Sequence, residues 1–97
     1  MKGLRLDKFL WFARLTKTRS LAQRAIADGH IRINGDRILC AHQTAQPGQA
    51  ITLTLNERLR VIQIETLPER RGPAAEAQSC YSELLPSRVI DGKPDRL

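Results

Sequence analysis

Residues 5–38 read RLDKFLWFARLTKTRSLAQRAIADGHIRINGDRI, and the hydrophobic period within them changes from that of a helix to that of a strand. Leu6, Phe9, Leu10 and Ala13 recur at i, i+3, i+4 and i+7, which predicts one apolar stripe on a helix over 5–15. Asp7 falls in its first turn, where a negative charge suits the helix dipole and can also orient Arg14 or Arg19. Thr16-Lys17-Thr18 breaks the pattern, and Thr18 suits the N-cap of a second helix over 19–28. Leu21, Ala22, Ala25 and Ile26 form the apolar face of that helix. Gly29 fits the left-handed position that ends it. From His30 the period is two: Ile31 and Ile33 point one way and Arg32 the other. Asn34-Gly35 is a tight-turn signal, after which Ile38 and Leu39 are expected to return as a short strand.

Working outward, Pro47-Gly48 marks a further turn. Ile51, Leu53 and Leu55 alternate with Thr52 and Thr54 as a half-buried strand, and Leu59–Glu65 reads as the next one. The expected order is therefore two helices followed by four strands. Residues 66–73, with Pro68, Gly72 and Pro73 around Arg70-Arg71, read as an exposed linker. Pro73 suits the start of a helix over 74–85, which Pro86 stops. Residues 86–97 are expected to be a flexible tail. The reading is an α+β chain with a domain over 4–65, a linker and short C-terminal helix over 66–85, and the tail.

The chain has 97 residues, enough for one domain with one modest core. Nothing in it approaches the roughly 20 apolar residues of a membrane span, and its first residues lack the apolar stretch of a signal peptide. A cytoplasmic address is the default expectation. The charge is unevenly placed. Residues 1–37 hold nine basic side chains against three acidic ones, a surplus of six that equals the net charge of the whole chain, +6. Such asymmetry points to a polyanion-binding surface, most often one for nucleic acid. The plain alternative is a solvated face kept for solubility.

Catalytic signatures are missing: no P-loop, dinucleotide fingerprint, metalloprotease motif or nucleophile elbow occurs. No enzymatic activity, cofactor or metal is expected. Cys40, Cys80, His30 and His42 do not fall at metal-ligand spacing, and both cysteines read as small buried apolar residues. The loop Lys17-Thr18-Arg19-Ser20 instead combines charge, hydroxyls and a helix N-terminus, the groups that contact phosphates. Arg14 and Arg24 flank it, Arg5 and Lys8 lie off the apolar stripe of the first helix, and Arg32 and Arg37 bracket the hairpin turn. Asn34 and Gly35 are expected to let the backbone approach the ligand closely. Trp11, near the polar boundary of its helix, reads either as packing or as a ring that stacks on a base. The second helix is short and Ala-rich with few exposed residues, so structured RNA fits better than a DNA operator.

Arg5-Leu6-Asp7, Thr18-Arg19-Ser20-Leu21-Ala22, Gly29-His30-Ile31-Arg32-Ile33-Asn34-Gly35 and Pro47-Gly48-Gln49-Ala50-Ile51 together resemble the RNA-binding domain named after ribosomal protein S-four. In the last motif Gln49 replaces the usual Asp. The aromatic helix Lys8–Arg14 and the later Arg70-Arg71-Gly72-Pro73 narrow the resemblance to stand-alone bacterial ribosome-associated heat-shock proteins. The resemblance implies an αL motif, two helices on a small, twisted, mainly antiparallel sheet, with a C-terminal helical extension. It implies docking on ribosomal RNA of the large subunit, with peptidyl-transfer RNA as a further partner, in ribosome recycling or rescue. Some members end in a long Lys- and Arg-rich helix, whereas residues 89–97 here are neutral. A monomer is expected. The rivals are a protein-interaction module and an RNA-modifying enzyme, for which no acid or nucleophile in a pocket is found; a regulator of transfer or messenger RNA stays open within the RNA class.

Overall fold

The computed structural model describes residues 3–55 and 57–89. The chain begins with β1 (Leu4–Arg5), followed by α1 (Leu6–Phe12) and α2 (Arg19–Ala27), then β2 (Ile31–Ile33), β3 (Asp36–Arg37), β4 (Thr44–Ala45), β5 (Ala50–Leu55) and β6 (Arg58–Ile64). A short α3 (Ala74–Gln78) and β7 (Tyr81–Val89) complete it. Five strands form one antiparallel sheet in the order β3-β2-β5-β6-β7, and β1 pairs separately with β4.

The two helices and the sheet close on one core. Leu6, Phe9, Leu10 and Ala13 come from the first helical segment, and Ala22, Ala25 and Ile26 from the second. Ile31, Ile33, Ile51, Leu53, Ile62 and Ile64 come from the inward face of the sheet, as their alternation requires. Leu21 departs from the expected apolar face of α2: it is 49% exposed. Ala22, Ala25 and Ile26 meet the sheet, and Leu21 falls on the flank.

Both long helices end in the same way. At the end of α2, Gly29 takes φ +83°, its N–H bonds the Ile26 carbonyl at 3.0 Å, and His30 N–H bonds Ala25 at 3.0 Å. This is a Schellman motif, for which glycine is the favoured residue. At the end of α1 the left-handed residue is Arg14, φ +61°, with Arg14 N–H on Trp11 and Leu15 N–H on Leu10. The helix expected over 5–15 therefore stops at Phe12, because a non-glycine residue adopts the strained turn.

The hairpin signal is realised as read. Asn34 (φ +51°) and Gly35 (φ +91°) form a turn with both central residues left-handed, the geometry that matches strand twist. Asn34 is also fastened to β5, its Oδ1 accepting from Ala50 N–H at 2.9 Å. The returning strand is Asp36–Arg37 rather than Ile38-Leu39. The segment that follows runs over the start of α1, where the carbonyls of Gln43 and Ala41 accept from the N–H groups of Leu6 and Asp7. Cys40 lies on this segment and is exposed, contrary to expectation, because the segment packs through its backbone; Cys80 is buried as expected.

The C-terminal third differs most. Only Ala74–Gln78 of the expected 74–85 helix is helical, and Tyr81–Val89 is a strand at the edge of the sheet. The open edge of β6 satisfies its backbone groups through this strand, and an edge strand tolerates Pro86. The pairing is fastened by side chains. Arg60 donates to both carboxylate oxygens of Glu83 at 2.9 and 3.0 Å and lies 5.8 Å from the Tyr81 ring centroid. The expected tail thus begins as strand over residues 86–89, and the rest of it, 90–97, lies outside the described residues. The expected linker is no free connector either, since Gly72 is buried and Arg71 reaches back to the N-terminal helices. No helix among the described residues is long and apolar enough to cross a membrane.

Candidate nucleic-acid interface

Asp7 organises the first cluster. Its side chain is fully buried, yet two guanidinium groups reach it: Arg5 through Nε and Nη2, both at 3.1 Å, and Arg19 through Nε at 3.1 Å. Gln23 Nε2 donates to it at 2.9 Å and the Lys8 N–H at 2.9 Å. Arg19 and Gln23 are four residues apart on α2 and so share a face. Burial pushes the Asp7 carboxyl up, but the bonds from Gln23, Arg5 and Arg19 outweigh it and hold the group below the usual carboxylate range. One carboxylate thus locks two arginines, leaving one positive charge in surplus. Arg19 uses only Nε on Asp7, and its Nη groups have no acceptor among the described residues. Arg14, the other arginine that Asp7 was expected to orient, is elsewhere.

Thr18 and Ser20 stand beside this cluster at the start of α2. Thr18 is the N-cap, its Oγ1 accepting from Leu21 N–H at 3.0 Å. Its hydroxyl proton and the exposed Ser20 hydroxyl are left for a ligand. Here α2 also presents its unpaired N–H groups, which attract anions.

The second cluster surrounds the α1–α2 loop. Arg14 Nε donates to the Gly72 carbonyl at 2.6 Å. In return Arg71, which sequence reasoning did not include, donates to the carbonyls of Trp11 (3.1 Å), Thr16 (3.3 Å) and Lys17 (3.4 Å). Its basic character and its place in the Arg70-Arg71-Gly72-Pro73 stretch signalled it, but nothing in sequence order joins it to residues more than fifty positions away. Trp11 is half-buried, its ring tilted on Phe12 with centroids 5.5 Å apart. Lys17 and Arg24 are exposed on the same loop and helix.

The third cluster is the hairpin. Arg32 and Arg37 sit directly opposite one another across β2 and β3. Like charges in that position destabilise a strand pair unless an anion lies between or beside them. Arg32 Nη1 donates to the Gly35 carbonyl at 3.1 Å, which draws its head over the turn. Arg37 lies along Gly29, where a Cβ would stand 3.4 Å from its Cδ. The thirteen expected residues are therefore distributed over three clusters: Arg5, Lys8, Thr18, Arg19 and Ser20; Trp11, Arg14, Lys17 and Arg24; Arg32, Asn34, Gly35 and Arg37. Among the described residues no group of three or more His, Cys, Asp or Glu could hold a metal ion.

Comparison with known proteins bears on the family of the chain. The S4 domain family matches residues 4–51. The chain is 36% identical over 84 residues to Heat shock protein 15 of Escherichia coli K12, covering 87% of this chain and 62% of that protein. It thus spans less than two thirds of that relative. It is 36% identical over 86 residues to the RQC P-site tRNA stabilizing factor of Bacillus subtilis, covering 89% of this chain and 98% of that protein. The trimeric structure of Vibrio cholerae Heat Shock Protein 15 superposes with a TM-score of 0.79 at 39% identity, over 84% of this chain and 82% of that one.

Proposed function

From the premise that this chain belongs to the S4 domain family, among its Heat shock protein 15-like members, we propose that it is a non-enzymatic cytoplasmic protein that docks on structured ribosomal RNA. The large subunit is the site, and the protein acts there in rescue or recycling, alongside the transfer RNA that the name of its Bacillus subtilis relative specifies. One observation carries the reading: Arg5 and Arg19 are held on a single buried carboxylate, next to the open N-terminus of α2. Two guanidiniums fixed in advance meet phosphates without paying for their own ordering. Lys8, Thr18 and Ser20 add contacts at that end of the domain, and Arg14, Lys17 and Arg24 continue the positive surface along the loop. Arg32 and Arg37 gain most from a phosphate, since it removes their mutual repulsion. Trp11 sits at the edge as a ring available for stacking.

Co-sedimentation with purified ribosomal subunits tests this. The protein is expected to pellet with large subunits at low salt and to be released at high salt. Arg19→Glu should abolish pelleting, and Arg70→Glu, which reverses an exposed charge paired with Glu76, should leave it intact. Pelleting with neither subunit, or equal losses from both substitutions, would overturn the reading.

A further inference from the structure

A cleft of about 570 Å³ opens on the flank of α2. Its volume lies in the range of sites that enclose a small organic group, about 300–1,000 Å³. Leu21 and Leu55 contribute to an apolar floor, and Arg14, Lys17, Arg24 and Arg71 supply cations around it. Leu21 is the residue that the core left half-exposed. The one acid among the lining residues, Asp28, stands 4.0 Å from Arg24 Nε, so positive charge predominates.

The cleft and the Asp7 cluster lie on different sides of α2. Leu21, Arg24, Ala25 and Asp28 line the cleft, whereas Arg19 and Gln23 face Asp7. The two are joined by the α1–α2 loop, in which Lys17 lines the cleft and the next residue, Thr18, caps the helix at the other site. A polyanion held at Thr18-Arg19-Ser20 therefore has the cleft immediately beside it.

We infer that this cleft receives one unpaired nucleotide of the RNA engaged at the Asp7 cluster, with its base on the Leu21–Leu55 floor and its phosphates on the surrounding cations. The inference rests on the proposed RNA-binding function and specifies what that RNA must offer. An apolar floor has no use for a paired stem, whose bases are covered. It suits the face of a base that has left the stack, and guanidinium planes also stack on such faces. A bulged or looped-out nucleotide has already lost its pairing, so its capture needs no melting of the helix.

The full-length chain is titrated by fluorescence anisotropy against two short RNA stem-loops. They share one stem; one is fully paired and the other carries a single bulged 2-aminopurine nucleotide. The bulged RNA is expected to bind about 5- to 30-fold more tightly, the range of a guanidinium stacked on a ring as the contact goes from exposed to desolvated. Its 2-aminopurine emission should rise as the base leaves the RNA stack. Leu21→Gln, which removes apolar floor at a half-exposed position, should reduce the preference to about twofold or less and leave paired-stem affinity unchanged. Leu21→Trp, which fills the cleft, should do the same. Equal, salt-sensitive binding of both RNAs by the wild type would overturn the cleft assignment and leave the proposed function standing. Binding of neither would remove the proposed function and the inference with it. If a Glu-rich peptide binds in a Leu21-dependent way and no bulge preference exists, the cleft is a peptide site and the inference is wrong.

Discussion

Replacing Asp7 by Asn isolates the charge that organises the first cluster. Five N–H groups converge on the Asp7 carboxylate, from Arg5 (two), Arg19, Gln23 and the Lys8 backbone. An amide of the same shape turns one acceptor oxygen into a donor and removes the one negative charge that, among the described residues, holds the two guanidiniums together. Breaking a fully buried ion pair costs about 3–5 kcal/mol. Here the carboxylate is buried but the Arg5 and Arg19 side chains are 45% and 34% exposed, so water takes back part of the loss. The net cost is therefore about 2–3 kcal/mol, a large share of the roughly 5–15 kcal/mol that stabilises a domain of this size. In melting temperature it corresponds to about 10–20 °C. Urea unfolding followed by the fluorescence of Trp11, the single tryptophan, measures it directly. The acid dependence supplies a second reading. The folded-state pKa of Asp7 is depressed, so its stabilisation is fully present above the unfolded carboxylate value, about pH 4, and is lost as pH falls through the lower folded value. The gap between wild type and Asp7→Asn should therefore shrink in strong acid. A loss below about 1 kcal/mol at neutral pH, or a gap that acid leaves unchanged, would refute the account of Asp7 as the organiser.

Three further outcomes follow from other contacts. Arg71→Ala strips a charged donor from the carbonyls of Trp11, Thr16 and Lys17 and should cost about 2 kcal/mol, with amide exchange accelerated in the α1–α2 loop; slow exchange there would show that the loop stands without it. Arg37→Thr relieves the like-charge pair with Arg32, so it should raise stability of the free protein by about 0.2–1 kcal/mol while weakening RNA binding, and a destabilised variant would contradict the strain. If about five phosphates are engaged, log K should fall against log salt with a slope of roughly −3.5 to −4.5, and a slope near zero would remove the electrostatic account.

Much of this was legible in residues 5–38. Periodicity found both helices and the first hairpin because each has one face that must be buried, and Asn34-Gly35 fixed the turn. The basic surplus located the candidate interface for the same reason: charge of one sign gathered in one segment has few local partners. What escaped the sequence depends on contacts between distant segments. The end of α1 is hidden from periodicity because Arg14 adopts a conformation that glycine usually takes, next to a carbonyl 58 residues further on. The Ala-rich residues before Tyr81–Val89 favour a helix that runs into it, whereas the open edge of β6 decides its state as strand. Gln23 belongs to no motif, and the Arg70-Arg71-Gly72-Pro73 stretch carries a resemblance but no contact; the roles of Gln23 and Arg71 exist only once Asp7 and the α1–α2 loop are in place.

The clamp between Arg71 and the α1–α2 loop also imposes an order on how the protein is made. The loop is synthesised well before its fastening, which lies up to 60 residues downstream. At about 5–20 residues per second, Arg71 is added about 3–11 s after Lys17. Until then the loop lacks the donors of Arg71 and Arg14 lacks the Gly72 carbonyl, while helices as short as α1 and α2 are marginal by themselves. The α1–α2 loop therefore gains its last fastening only after Arg71 has been added.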